Sequence, residues 1–229
     1  MKARLLGYRD LGPEVRHFDF DIPELSTLAF TPGQFLSLTT SLNGKMVTRA
    51  YSIASPPDSN RFELSLNRVK EGLLSPHLFE LRTGDTIQVT GPHGSFVLKS
   101  PPRDSVFIAT GTGVAPFRSM LHHHLVHGGR HEFKLLFGVR YEEGILYRGE
   151  FEQLERDHPH FAFLPTLTRP SASWTGKRGR VQQHLEDVLG ARRDVDVYIC
   201  GLKEMVNDVR GRLKAMGFDR KQIVYERYD

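Results

Sequence analysis

Residues 106–116 carry the sequence VFIATGTGVAP, an apolar run followed at once by two glycines and a proline. The first four residues are typical of a strand that is covered on both faces. Gly111 and Gly113 let the backbone turn tightly beside an anion, and Pro116 suits the first turn of a helix, whose N–H groups face a phosphate. The stretch therefore predicts a strand, a phosphate-binding turn containing Thr112, and a helix. Pro116 stands where dinucleotide-binding turns usually have a third glycine, and an ordinary strand-to-helix turn is the alternative.

The second half of the chain continues this order of apolar runs and helical patterns. In Lys203–Met216, apolar residues recur every three or four positions, which indicates an amphipathic helix, and Gly217 follows where that helix would end. Strands that alternate with helices predict a parallel, doubly wound α/β sheet. The predicted strands are Ser105–Ala109, Phe133–Val139, Phe161–Thr166, Val195–Cys200 and Gln222–Glu226.

The first half consists of short apolar runs separated by Pro, Gly, Asn and Asp, which predicts a small antiparallel β-barrel. Segment 99–103 contains Pro101 and Pro102, which cannot donate to a sheet, so it is predicted to be a linker. The expected domains are a barrel over residues 1–98 and an α/β domain over residues 104–229. The predicted barrel strands are Gln34–Thr39, Ala50–Ala54, Phe62–Val69, Thr86–Thr90 and Phe96–Leu98.

The composition is that of a globular protein. Of the 229 residues, 39% are hydrophobic and 25% are charged, and the mean hydropathy is −0.37. No apolar run approaches the ~20 residues that cross a bilayer, and the N-terminal segment lacks the apolar core of a signal peptide. These features predict a cytoplasmic protein. The net charge of +4 favours acidic partners without indicating nucleic acid.

Residue counts and motifs exclude several kinds of active site. The single cysteine, Cys200, cannot form an internal disulfide or supply four thiolates to an iron–sulfur cluster. The sequence has no HExxH motif, CxxC motif or Ser-His-Asp pattern, so hydrolase and metal chemistry have no support. His122, His123 and His124 are consecutive in a predicted helix, point in different directions, and are interpreted as helix surface.

A second group of chemistry-bearing residues lies in the first half, at Arg49-Ala50-Tyr51-Ser52. On a strand, Arg49 and Tyr51 project from the same face, which suits an arginine that pairs with a phosphate and a tyrosine that packs along a flat ring. Ser75, which precedes Pro76 at the start of a helical turn, is predicted both to cap that turn and to bind phosphate.

Taken in order, these motifs resemble those of the ferredoxin–NADP reductase family over nearly the whole chain. Arg49–Ser52 resembles the family's Arg-x-Tyr-Ser flavin motif, and Gly111–Pro116 resembles its nucleotide motif. Cys200-Gly201 resembles its Cys-Gly pair, and Glu226-x-Tyr228 its acidic-x-aromatic ending. The resemblance implies an FAD-binding barrel, an NADP-binding α/β domain, and hydride exchange between nicotinamide and flavin.

The resemblance also implies the site residues. Ser52, Cys200, Glu226 and Tyr228 are the expected catalytic residues, and no metal is expected. Two departures concern the C-terminus and the Cys-Gly pair: Asp229 follows the aromatic residue, and Leu202-Lys203 stands where many relatives have prolines. The expected cofactor-binding residues are Arg49, Ala50, Tyr51, Ser52, Asn67, Val69, Leu73, Leu74, Ser75, Gly111, Thr112, Gly113, Arg140, Thr168, Arg169, Arg180 and Tyr228.

The charge of the nucleotide site favours NADP(H) over NAD(H). Arg140 follows a predicted strand at the point where an NAD site favours an acid, and Arg169 and Arg180 add positive charge further along. Arginine is the natural partner of the 2′-phosphate that distinguishes NADP. Glu142 and Glu143 leave NAD as the alternative, because either carboxylate can meet the ribose hydroxyls.

The implied function is electron transfer between NADPH, through FAD, and a separate one-electron protein acceptor, either ferredoxin or flavodoxin. The alternatives are a free-standing flavin or quinone reductase and the reductase component of an oxygenase system. A non-enzymatic alternative is an electron-transfer or nucleotide-binding subunit of a larger complex.

Overall fold

The computed structural model describes residues 1–228 as two compact units, each built on a six-stranded sheet. Asp229 lies outside the described residues. The first unit comprises Met1–Leu98 and Ala115–His124, and the second comprises Lys99–Val114 and Leu125 onward. No helix within residues 1–228 is long and apolar enough to cross a membrane.

The sheet of the first unit is antiparallel, in the order β4-β3-β6-β1-β2-β5. A single bridge between Ile53, just after β4, and Leu64 of β5 joins the two outer strands. This closure confirms the predicted barrel class. The elements are β1 (Lys2–Gly12), β2 (Val15–Asp21), β3 (Phe35–Leu42), β4 (Lys45–Ser52), β5 (Arg61–Asn67), α1 (Leu74–Glu80) and β6 (Thr86–His93).

Aromatic side chains from β2 and β5 fill the barrel. Phe18, Phe20 and Phe62 are at most 1% exposed, and the Phe20 and Phe62 rings stack with their centroids 5.3 Å apart. The sequence analysis did not assign β1 or β2. Its fifth strand, Phe96–Leu98, is wrong, because these residues are in no strand and Phe96 packs instead against Phe117, with ring centroids 5.7 Å apart.

Part of the helix α2 (Ala115–Val126) belongs to the barrel unit. The buried Arg118 guanidinium donates to the Ala54 carbonyl at 2.9 Å and pairs with Glu63 of β5. The Ser119 hydroxyl donates to the Ser55 carbonyl at 2.6 Å. These bonds fix α2 to the segment that directly follows β4. The three histidines of this helix are half-buried rather than fully exposed, which corrects their interpretation as surface residues.

The sheet of the second unit is entirely parallel, in the order β10-β9-β8-β7-β11-β12, as the alternating pattern predicted. Five strands match the prediction to within two residues at either end, and the helix predicted over Lys203–Met216 ends one residue early. The short β10 was not predicted. The strand β7 (Ser105–Thr110) precedes α2. The elements after α2 are β8 (Phe133–Val139), α3 (Arg148–Asp157), β9 (Phe161–Leu167), β10 (Lys177–Arg178), α4 (Leu185–Leu189), β11 (Asp196–Leu202), α5 (Lys203–Ala215) and β12 (Ile223–Tyr228).

A buried carboxylate anchors the start of the second unit. Asp196, the first residue of β11, is fully buried and accepts from the Lys99 ammonium at 2.6 Å through Oδ1. The Lys99 ammonium also donates to the Lys221 carbonyl, and the backbone N–H of Lys99 donates to the Tyr198 hydroxyl. Lys99 thereby ties the expected linker to two neighbouring parts of the sheet.

Candidate functional site

The strand order of the parallel sheet reverses between β7 and β11, which creates a switch point at the carboxyl ends of these strands. Ligands of open α/β sheets bind at such a point. Thr110 ends β7 there, and Gly111–Val114 form a short 3-10 turn before α2 begins at Ala115. The order of strand, turn and helix predicted from this segment is therefore present, and it lies at the edge where a nucleotide binds.

Two glycines shape this turn for different reasons. Gly111 has a φ of +54°, in the left-handed region that favours glycine. A Cβ at Gly113 would lie 2.7 Å from the carbonyl carbon of Cys200 and 3.0 Å from the Cα of Gly201. Since both neighbours are backbone atoms, only glycine allows the turn to approach the end of β11. Thr112, between the two glycines, is buried.

The parallel register of β11 and β12 brings three predicted catalytic residues together. Cys200 pairs with Glu226, and Leu202 pairs with Tyr228. Residues two apart in a strand share a face, so Cys200, Glu226 and Tyr228 project from one side of the sheet. The Tyr228 hydroxyl hydrogen-bonds to the Cys200 sulfur.

Burial keeps the Cys200 side chain a neutral thiol. Removal from water raises its pKa well above the ordinary value, and the negative charge of Glu226 raises it further. The hydrogen bond from Tyr228 acts in the opposite direction and is the smallest of the three effects. A buried thiol of this kind is a poor nucleophile, which fits a residue that borders a ligand rather than one that attacks it.

The arginines predicted to bind a 2′-phosphate lie at the ends of neighbouring strands. Arg140 follows β8, Arg169 follows β9, and Arg180 follows β10, and all three are exposed. The Arg169 N–H donates to the Arg140 carbonyl at 2.8 Å, which holds these two residues side by side. Thr168 is exposed beside them, and its N–H donates to the Val139 carbonyl.

The alternative in which Glu142 binds the ribose of NAD is less favoured, because Glu142 is paired with Arg148 in the structure. Its carboxylate accepts from Arg148 at 2.7 Å, and the same guanidinium pairs with Glu152 on α3. Glu142 is thus already neutralised. The sequence analysis did not single out Tyr141. Its hydroxyl accepts from Arg169 at 3.1 Å and adds a polar group beside the arginines.

Trp174 organises the segment between Arg169 and Arg180. Its indole N–H donates to the Lys177 carbonyl at 2.9 Å, and its own carbonyl accepts from Arg178 at 2.6 Å. These bonds order the segment. No sequence pattern signals them, because they join side chains to backbone carbonyls within an irregular loop.

In the barrel unit, the Arg49–Ser52 motif forms the end of β4. Arg49 is exposed, donates to the Thr48 carbonyl, and forms no ion pair with a carboxylate among residues 1–228, so its other N–H groups can meet a pyrophosphate. Burial raises the pKa of Tyr51 to about 12, against the opposing charge of Arg49. The phenol therefore stays neutral and packs partly against the barrel core. Ala50 is exposed and Ser52 is buried, and this set of donors and one flat ring fits a flavin nucleotide.

The second predicted flavin segment precedes and enters α1. The Ser75 hydroxyl accepts from the Val69 N–H at 3.0 Å. The predicted capping role of Ser75 is wrong, because α1 already begins at Leu74, with Leu73 at the cap position and no side-chain capping bond. Leu74 is buried in the barrel core, whereas Leu73, Val69 and Asn67 are exposed.

Family models cover most of the chain. A model described as an oxidoreductase FAD-binding domain matches residues 2–98, and one described as an oxidoreductase NAD-binding domain matches residues 107–211. Both matches agree with the fold, and the second ends at residue 211, before Glu226 and Tyr228.

Known proteins align with nearly the full chain. Ferredoxin–NADP reductase B of Sorangium cellulosum is 43% identical, with 100% of this chain and 97% of the relative covered. The toluate 1,2-dioxygenase electron transfer component of Pseudomonas putida is 29% identical, with 99% and 67% covered. Among solved structures, a ferredoxin–NADP⁺ reductase from Neisseria gonorrhoeae with bound FAD and NADP has a TM-score of 0.85 at 25% identity and 99% and 98% coverage. A cytochrome P450 reductase from Amycolatopsis has a TM-score of 0.90 at 27% identity, with 99% and 69% covered.

Proposed function

Since this chain belongs to the ferredoxin–NADP reductase family of FAD- and NAD(P)-dependent oxidoreductases, we propose that it moves electrons between NADPH and a separate one-electron carrier protein, ferredoxin or flavodoxin. Bound FAD supplies the link, because it accepts hydride as an electron pair and releases electrons singly. In the forward direction one NADPH becomes NADP⁺ and H⁺, and two carrier molecules each gain one electron. The barrel is proposed as the domain of residues 1–98 and the nucleotide domain as residues 104–229.

The observation that carries this proposal is the cluster at the switch point. Cys200, Glu226 and Tyr228 share one face of the sheet, and the Gly113 turn contacts the same strand end. We assign the turn and the helix after it to the nucleotide phosphates. The Cys200 thiol borders the nicotinamide, and Tyr228 occupies the position of the nicotinamide ring until the nicotinamide enters.

The proposed flavin contacts belong to the barrel. Arg49 neutralises the pyrophosphate, Tyr51 packs on the flavin ring, and Ser52 bonds near N5. Leu74 and Ser75 hold the phosphate side, and the Ser75 bond to Val69 fixes the loop that carries them. Replacement of Arg49 by alanine is expected to weaken retention of FAD.

The proposed hydride donor is NADPH because the three exposed arginines gather positive charge where a 2′-phosphate needs it. The Glu142 carboxylate, which could otherwise serve an NAD ribose, is held by Arg148. The proposed acceptor is a separate protein, because a single cysteine excludes a cysteine-held iron–sulfur cluster within this chain.

The reductase component of an oxygenase system and a free-standing flavin or quinone reductase use the same hydride chemistry with other acceptors. Identity of 43% with a ferredoxin–NADP reductase, against 29% with an oxygenase electron transfer component, favours the carrier protein as acceptor. The cytoplasmic location expected from the sequence stays a prediction.

The test is stopped-flow reduction of the FAD-loaded protein by NADPH, followed by mixing with ferredoxin or flavodoxin. We expect NADPH to bleach the flavin absorbance and the carrier to restore it. Tyr228→Ser should change the apparent NADPH affinity and the bleaching rate while FAD stays bound. Tyr225→Ser, on the opposite face of the same strand, is the control and should leave this half-reaction unchanged. Bleaching by NADPH without oxidation by either carrier would contradict the proposed acceptor.

A further inference from the structure

The connection that leaves β9 and returns through β10 carries two of the three proposed 2′-phosphate arginines. We name residues 168–180 the arginine loop, with Arg169 near its start and Arg180 at its end. The strand β10 runs parallel to β9. A parallel return usually takes a dozen or more residues and contains a helix. Residues 168–176, which join the two strands, are fewer and contain no helix. The shape of the loop therefore depends on other contacts.

Trp174 is the part of the arginine loop that the fold buries. Its exposed fraction is 8%, and no other residue of the loop is buried. A Cβ at Gly176 would lie 2.7 Å from the indole Cε2, so the chain folds back directly against the ring. The indole is thus the only core that this loop has of its own.

Hydrogen bonds of Trp174 set the position of β10. The indole N–H donates to the Lys177 carbonyl at 2.9 Å, and the Trp174 carbonyl accepts from the Arg178 guanidinium at 2.6 Å. Lys177 and Arg178 are the two residues of β10. The Gly179 N–H then donates to the last carbonyl of β9 at 2.8 Å, and Arg180 follows. The position of Arg180 therefore depends on contacts that Trp174 makes.

A further contact links the arginine loop to the segment that follows β8. The Arg148 guanidinium lies 5.8 Å from the centre of the Trp174 ring, within the range of a cation–π interaction. The same guanidinium donates to the Glu142 carboxylate at 2.7 Å, two residues after Arg140. The Arg169 N–H donates to the Arg140 carbonyl at 2.8 Å. The three proposed phosphate arginines therefore belong to one connected set of contacts, with Trp174 at its centre.

We propose that Trp174 is a positioning residue for the 2′-phosphate site, because its indole holds the arginine loop in one conformation and so sets Arg169 and Arg180 before the nucleotide binds. A loop that is already ordered loses little conformational entropy when its ligand enters, which increases the affinity for that ligand. The proposal assigns Trp174 no contact with the nucleotide. It rests on the proposed function, because it concerns how NADPH is recognised in that same reaction.

The experiment measures the binding of two nucleotide fragments to the FAD-loaded protein by calorimetry. Adenosine 2′,5′-bisphosphate carries the 2′-phosphate of NADP, whereas adenosine 5′-monophosphate lacks it. Trp174→Phe keeps an aromatic ring but loses the N–H donor. Tyr198→Phe is the control, because it removes the hydroxyl that accepts from the Lys99 N–H and so also costs a buried aromatic residue of the second unit a hydrogen bond.

A second pair of variants moves the indole without removing it and without changing any charge. Gly176→Ala places a methyl group against the ring, whereas the methyl group of Gly211→Ala in α5 meets nothing within 4 Å outside its own helix backbone. Both glycines are exposed, so neither variant opens a cavity in the core. If Trp174→Phe unfolds or loses FAD, this second pair decides the test.

We expect Trp174→Phe and Gly176→Ala to raise the Kd for the bisphosphate at least about fivefold and to leave the Kd for the monophosphate within about twofold of wild type. In turnover, the KM for NADPH should rise while kcat stays nearly unchanged. Both control variants should bind both fragments as the wild type does. Equal losses for the two fragments would make Trp174 a general structural residue and overturn the proposal. Undiminished binding of the bisphosphate in both loop variants would also overturn it.

Trp174 is the only tryptophan of the chain, so tryptophan fluorescence reports on the arginine loop alone. We expect acrylamide to quench this emission as weakly without the bisphosphate as with it. Strong quenching that the bisphosphate abolishes would show that the nucleotide orders the loop, and it would overturn the proposal. These outcomes leave NADPH as the hydride donor. Equal Kd values for the two fragments in the wild type would overturn that donor, and the role of Trp174 with it.

Discussion

Three exposed arginines at the ends of β8, β9 and β10 are the proposed source of positive charge in the nucleotide site. They come from separate strands, but Arg140 and Arg169 are joined through their backbones and Arg180 opens the next turn. The proposed 2′-phosphate therefore meets several charge-assisted donors, each of which contributes about 1.5 to 3 kcal/mol. We expect the wild-type enzyme to favour NADPH over NADH by at least ~100-fold in kcat/KM.

Arg140→Gln and Arg180→Gln should each raise the KM for NADPH about tenfold and leave the kinetics with NADH unchanged, because NADH lacks the phosphate. Arg156→Gln, an exposed position on α3, is the control. Steady-state kinetics with both nucleotides measure the effect. Equal losses with NADPH and NADH would show that these arginines bind a part common to both molecules.

At the scale of single residues, the sequence predicts which residues lie at the strand ends better than it predicts which residues they contact. The positions of Arg140 and Cys200 at strand ends follow from apolar runs that end there. The pairing of Cys200 with Glu226 does not, because it depends on the register of two strands that α5 separates in the chain. The neutralisation of Glu142 by Arg148 is equally absent from any local pattern.

At the scale of elements, the contact of Lys99 with β11 fixes where the parallel sheet begins. Asp196 is fully buried, and its Oδ2 has no hydrogen-bond partner among the described residues. The bond from Lys99 to Oδ1 is therefore the main compensation for burying this carboxylate.

Lys99→Met should lower the free energy of unfolding by about 2 to 3 kcal/mol, because it leaves the buried Asp196 carboxylate without its ion pair. The Lys99 side chain itself is partly exposed. Urea denaturation measures this change. Lys177→Met, which removes a bond to the exposed Asp187, should cost under about 1 kcal/mol. Equal losses of stability in the two variants would contradict the expectation that the ion pair of a buried carboxylate contributes more than that of an exposed one.

The two sheets differ in how well their strands can be predicted. The parallel strands are apolar on both faces, so a continuous apolar run marks each one. In the barrel, β1 and β2 were missed because charged residues alternate with apolar ones along both. Phe96–Leu98 has the composition of a strand, but Phe96 packs against α2 and forms no ladder.

At the scale of the whole molecule, the first unit is assembled from two separated parts of the chain. The first turns of α2 belong to it through Arg118 and Ser119, which bond to the segment after β4. The arginine also pairs with Glu63, so its loss leaves a carboxylate and a buried carbonyl without their donor.

Arg118→Met should therefore lower the free energy of unfolding by about 2 to 4 kcal/mol. Arg212→Met, which removes only an exposed pair within α5, should cost about 0.5 kcal/mol or less. Urea unfolding of both FAD-loaded variants supplies the comparison. A matching, small cost for Arg118→Met would show that α2 is held in the barrel unit by its apolar contacts alone.

The division of the first unit also imposes an order on its folding during synthesis. The strands of residues 1–98 leave the ribosome first, and the strand and turn of the nucleotide site follow before Arg118 and Ser119 emerge. Until then, the carbonyls of Ala54 and Ser55 are hydrated by water. The bonds to these carbonyls form only after Arg118 and Ser119 have left the ribosome, so each nascent chain already carries the glycine turn at residues 111–113 when the barrel unit completes its packing.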